Sequence, residues 1–170
     1  MRRRAAQLVR GLDLPEPFTV EELCRRLGQR RGRRIILVPR DLPPGSPCGL
    51  CVSTETSDFI FFHEGTSGPH QLLIILHELG HLLCGHGVKT GLHDDDINVL
   101  MPDLDPVMVR RILGRTRYGS EEEVVAETIA TLILSDVGVY APSRKWKIPD
   151  EVVGVVRRIS YSIGPGDGDQ

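Results

Sequence analysis

The sequence predicts an α+β fold, a small N-terminal mixed sheet packed on a helical bundle, from three features of the 170-residue chain. Short runs rich in β-branched and aromatic residues recur between positions 34 and 62. Positions 69–84 are apolar nearly all round, which at that length marks a buried helix. Positions 120–135 carry a helical pattern with an acidic start.

The elements follow in chain order. Thr19, with Glu22 three residues on and Leu23 and Leu27 at helical spacing, opens a short amphipathic helix that Gly28 is expected to end. Arg34-Ile35-Ile36-Leu37-Val38 reads as a strand stopped by Pro39. Leu50-Cys51-Val52-Ser53-Thr54 and Asp58-Phe59-Ile60-Phe61-Phe62 read as two more, joined by a link short enough for a hairpin. Pro69 suits the first turn of the buried helix. Residues 88–103, rich in Gly, Asp and Asn, are expected to form a surface loop, and Asp105-Pro106 to start a helix through Leu113. The helix of 120–135 ends near Gly138, and Pro149 begins a last helix reaching Ser160. These make one domain over residues 1–163 and a flexible tail over 164–170.

Composition narrows the class. Hydrophobic residues at 40% and charged residues at 26% are globular values, and no apolar run approaches the roughly 18 residues a bilayer crossing needs. A membrane protein is therefore not expected. Arg10 and Gly11-Leu12-Asp13 interrupt the basic start before any signal-peptide core develops, and four cysteines are too few for a disulfide scaffold. The expectation is a cytoplasmic protein with reduced thiols. The net charge of −2 hides basic stretches at 2–4 and 25–34 and acidic ones at 94–96 and 121–123. The basic part lacks interleaved aromatics and a reading motif, so it reads as solvated arginine surface and no direct nucleic acid binding is expected.

The chemistry lies in His77-Glu78-Leu79-Gly80-His81, the zincin signature. Residues four apart stack on one helical face, so both imidazoles reach one ion. Glu78 lies about 100° round from His77, placed to act on a water as a general base. The competing reading is a buried helix with two satisfied histidines. Burying two histidines and a glutamate in an apolar helix is costly unless a metal or hydrogen bonds neutralise them, which favours the metal. Catalytic zinc takes three protein ligands and keeps a position open.

The third ligand is not His86, which on a continuing helix lies about 140° away from His81. Nor does the metzincin pattern apply, since it needs glycine at 84 and histidine at 87 where Cys84 and Gly87 stand. His70 shares the helical face but reads as a solvated helix-start histidine, and His63 and His93 have no better claim. Glu121-Glu122-Glu123-Val124-Val125-Ala126-Glu127-Thr128-Ile129-Ala130 offers carboxylates on a second helix, with Ala126 and Ala130 small enough for close approach. Glu123 is the first choice of ligand, ahead of Glu127 and Glu122. Glu127 would otherwise accept a hydrogen bond from a ligating histidine. Against this, Ser120 and Glu123 also fit a capping box.

These residues resemble the ImmA/IrrE family of metallo-endopeptidases: His-Glu-Leu-Gly-His followed by Glu-x-x-Ala-Glu-x-Ile-Ala, over roughly positions 18–134. The resemblance implies zinc held by His77, His81 and Glu123, with Glu78 as base. It also implies a bacterial protein paired with a helix-turn-helix transcriptional regulator that it cleaves. The sequence departs from the family pattern at Val125, where a second glutamate is common, and in a longer segment over 86–120. The alternative is a zinc-bound, non-catalytic sensor or toxin-antitoxin component acting by protein binding.

Two smaller signals complete the reading. Cys48-Gly49-Leu50-Cys51 has metal or redox spacing but no second pair, and reads as packing cysteines. Tyr118 is a candidate oxyanion donor, with a loop tyrosine as the competing reading.

Overall fold

The computed structural model describes residues 2–15, 18–41, 48–54, 56–86, 119–136 and 148–163. Helices α1 (Arg2–Arg10) and α2 (Val20–Arg31) precede strands β1 (Arg34–Arg40), β2 (Gly49–Ser53) and β3 (Ser57–His63). Then come α3 (Gly68–Cys84) and α4 (Ser120–Asp136), and a 3₁₀ turn (Asp150–Val152) that runs into α5 (Val153–Ile163). The expected loop over 88–103, the helix over 105–113, His93, Tyr118 and the tail from 164 lie outside the described residues.

The α+β class expected from sequence is observed, and the sheet is mixed, in the order β1-β3-β2. β3 pairs in parallel with β1 (Ile36 opposite Phe59) and antiparallel with β2 (Cys51 opposite Ile60). The β2–β3 hairpin is closed by Thr54 and Ser57, whose backbone and hydroxyl groups bond each other. A central strand is covered on both faces, which explains the unbroken apolar run of β3. Phe59 and Phe61 face a layer with Ile36, Val38, Val52, Val156 and Ile159. Ile60 and Phe62 face the main core, built with residues of α1 to α4. No helix among the described residues is long and apolar enough to cross a membrane.

Three local expectations are corrected. Gly28 does not end α2; the helix runs to Arg31 and Gly32 ends it with φ 67°. Gly28 instead lets the returning chain pass, since a Cβ there would lie 2.6 Å from the carbonyl oxygen of Arg33. Pro39 lies inside β1 rather than stopping it, which an edge strand tolerates because one side needs no donors. Helix α1 was not anticipated, although Ala5, Val9 and Leu12 bury a stripe at helical spacing.

The arginine-rich stretch is largely internally paired. Arg25 and Arg26 hold Glu22, whose carboxyl falls to about 2 through these hydrogen bonds. Arg34 pairs with Glu151. Arg31 contacts the wholly buried Asp58 at 2.8 Å and donates to the carbonyl of Leu82, while Arg33 stands 3.8 Å from Asp58. These contacts tie the ends of α2, β3 and α3 together.

Candidate metal centre

Helix α3 is long, apolar and stopped by Gly85, whose φ of 71° returns its amide to the carbonyls of His81 and Leu82. Its length carries Leu72, Ile75, Leu76, Leu79 and Leu82 into the core and leaves His77 and His81 stacked on a separate face. Gly80 is where α4 crosses. A Cβ on Gly80 would sit 2.9 Å from the carbonyl oxygen of Ala126, so the two backbones touch. Ala126 and Ala130 are fully buried in that contact region, as their small size allows.

One turn before Ala126, Glu123 reaches α3. Its Oε2 lies 3.1 Å from Nε2 of His77 and 3.7 Å from Nε2 of His81, and the two Nε2 atoms are 3.1 Å apart. A tetrahedral zinc site with bonds of roughly 2.0–2.2 Å has donor–donor edges of about 3.3 Å. The three atoms therefore make a triangle of the size one such ion requires, and they form the one group of potential ligands found among the described residues.

The electrostatics suit a ligand set. His81 is fully buried, and burial together with His77 and His86 holds its pKa down at about 3. It is neutral at physiological pH and keeps a lone pair to offer. The His77 side chain is 30% exposed and that of Glu123 46%, whereas His81 is fully buried, so the group lies at the margin of the described core.

Glu78 lies against the start of β2, its Oε1 and Cγ beside Gly49. It is buried, its Oε2 has no hydrogen-bond partner among the described residues, and burial with the nearby Glu123 raises its pKa to about 8. A buried carboxylate without a partner is held at a cost, which is a reason to look for a chemical role.

The capping alternative for Glu123 is taken by its neighbour. Gly119, not Ser120, precedes the helix, and Glu122 accepts from the Gly119 amide at 2.9 Å while the Glu123 amide donates to the Gly119 carbonyl. The Glu123 carboxylate is left for the histidines. Glu127, the alternative ligand, is exposed and stands outside the group.

Two residues escaped the sequence reading. His86 was expected to point elsewhere, but the left-handed turn at Gly85 folds it back until its ring lies 5.7 Å from that of His81. Gly49, at the start of β2, packs directly over Glu78. Its only sequence signal is glycine beginning a strand. Cys51 is a packing residue, its thiol pushed well up by burial, whereas Cys48 is exposed; all four cysteines are free. His70 accepts or donates at 2.7 Å to the Thr66 hydroxyl at the exposed start of α3.

The chain matches no family model, no curated protein and no solved structure.

Proposed function

We propose that the chain is a zinc-dependent metallo-endopeptidase that acts in the cytoplasm on a protein substrate. The observation that carries the reading is the carboxylate of Glu123 meeting the paired imidazoles of His77 and His81 within coordination spacing, from a separate helix. Zinc bound there supplies Lewis acidity, which polarises a carbonyl oxygen and makes water easier to deprotonate.

The chain's own residues divide the remaining work. His77, His81 and Glu123 hold the ion. Glu78 takes the proton of the attacking water on a carboxylate oxygen and returns it to the nitrogen of the departing amine. In the metal-free protein, burial and the nearby Glu123 raise the Glu78 carboxyl from the ordinary carboxylate range toward neutral pH, the direction that suits a group exchanging protons there. The edge of β2 beside Glu78 offers backbone groups to an extended peptide. The resemblance to ImmA/IrrE peptidases supports a helix-turn-helix regulator as the substrate.

The test is incubation of the zinc-loaded protein with a random peptide pool and with any helix-turn-helix regulator encoded beside it, fragments being mapped by mass spectrometry. Wild type cleaves and Glu78→Gln, with zinc retained, does not. Equal fragment yields from both proteins contradict the role given to Glu78. Regulator binding without cleavage by either points to a protein that acts by association.

A further inference from the structure

Gly49 is where a strand meets the proposed base. A Cβ built on it would lie 2.6 Å from Cγ2 of Ile74, 2.8 Å from Oε1 of Glu78 and 3.2 Å from Cγ of Glu78. Real Cβ atoms do not approach so closely, so any other residue at 49 displaces one or both neighbours. The two respond differently. Ile74 is β-branched, 7% exposed and in the core, so moving it strains the packing. Glu78 ends in a flexible arm, so it is the group that gives way, at a smaller cost than Ile74 but only by leaving its place against β2.

We infer that Gly49 is a positioning residue for the reaction: by lacking a side chain it lets the carboxylate of Glu78, the residue after His77 on α3, lie against β2. The inference rests on the peptidase reading and adds to it a sequence requirement on a strand that holds none of the proposed chemistry. β2 is fixed there by its pairing with β3, Gly49 opposite Phe62 and Leu50 opposite Phe61, so the strand cannot retreat from an added methyl without breaking the sheet. The next residue on the same face is Cys51, whose buried thiol feels the Glu78 charge. The carboxylate is therefore bounded by the strand along this side, and an alanine at 49 leaves it only positions further from β2.

Double substitution separates packing from positioning. Ile74→Ala removes the atom that a Cβ at 49 meets first, so Gly49→Ala/Ile74→Ala is compared with Ile74→Ala alone. The expected double variant melts close to Ile74→Ala, holds the same zinc and has an unchanged KM. Its kcat on a peptide selected from a cleaved pool is lower by on the order of tenfold or more, a part of the roughly hundredfold to ten-thousandfold that a general base contributes. A kcat equal to that of Ile74→Ala overturns the inference while leaving the peptidase reading intact. A second readout needs no activity: denaturation of the metal-free Gly49→Ala, Glu78→Ala and Gly49→Ala/Glu78→Ala proteins. Gly49→Ala should destabilise less in the Glu78→Ala background, and strict additivity overturns the contact. If wild type cleaves nothing, the peptidase reading fails and this coupling alone decides whether Gly49 sets the place of Glu78.

Discussion

Gly80 and Ala126 bring α3 and α4 into backbone contact: the Cβ that Gly80 lacks would fall 2.9 Å from the Ala126 carbonyl oxygen and 3.1 Å from its Cα. Both sit one turn beyond the residues that meet as candidate ligands, His77 and Glu123. A methyl group at 80 must push the helices apart, because the atoms it meets are backbone. Gly80→Ala is expected to destabilise by about 1–3 kcal/mol, as overpacking does, and to weaken zinc binding by drawing Glu123 back. Denaturation and competitive zinc titration measure the two effects. Unchanged values in both would show that the helices are not held by this contact.

The buried Asp58 predicts a second stability effect. Arg31 is its nearest cation and also secures the Leu82 carbonyl near the end of α3. Replacing Arg31 by methionine keeps most of the stem but strands the carboxylate, leaving Arg33 at 3.8 Å as the remaining cation. A loss of about 3 kcal/mol is expected, toward the low end for breaking a buried pair. Urea denaturation of the variant reads it directly.

Glu78 and His81 make the metal-free protein pH-sensitive in opposite directions. An unfolded glutamate ionises near 4.5, whereas Glu78 in the fold resists ionisation until about 8. Keeping it un-ionised therefore costs nothing below 4.5, and stability is lost progressively as pH rises from there to about 8. His81 is depressed from 6.5 to about 3, so its contribution is intact above 6.5 and lost as pH falls below it. Glu78→Gln should then stabilise the metal-free protein at pH 8 by up to a few kcal/mol, on the order set by the shift, and leave it nearly unchanged at pH 4. Melting curves of both proteins at the two pH values check this; an equal gain at both would assign the effect to packing.

How far the sequence carried the fold differs by element. α3 and β3 were legible because each is apolar over its whole length, and such runs leave few ways of being buried. α4 was placed by its acidic start, and the Ala126 and Ala130 spacing identified the face that α3 meets. Helix α1 was hidden by Arg2, Arg3, Arg4 and Arg10, which crowd a buried stripe formed by Ala5, Val9 and Leu12. His86 stands outside the ligand group as the spacing predicts, but its ring returns toward His81 because helical angles apply only while the helix continues, and the chain reverses at Gly85. Pattern ranks Glu123 ahead of Glu122 as a ligand but assigns the cap to Glu123 as well, and the structure gives the cap to Glu122. Which one caps depends on whether Gly119 or Ser120 begins the helix, a difference of one residue that decides which carboxylate faces the histidines. The nearness of Gly49 to Glu78 is a long-range contact that no local periodicity encodes.

Zinc should stabilise the fold through the same three side chains. Because a ligand that binds only the folded state adds stability as its concentration exceeds Kd, the wild-type melting temperature should rise with zinc. Glu127→Ala should share that rise, since Glu127 is exposed and outside the ligand group. Thermal melts across a zinc series test it, and a Glu127→Ala protein that no longer responds would move the third ligand one turn along α4.

The most direct measurement of the central claim is the zinc affinity of His77→Ala, His81→Ala and Glu123→Ala beside wild type, by competition with a chromophoric chelator. Wild type should bind one ion per chain, and each variant should lose roughly tenfold to a hundredfold or more in affinity, at least the effect of removing an outer-shell partner. Wild-type affinity and stoichiometry in the Glu123→Ala protein would contradict the claim that a carboxylate from α4 completes a site begun by the two histidines of α3.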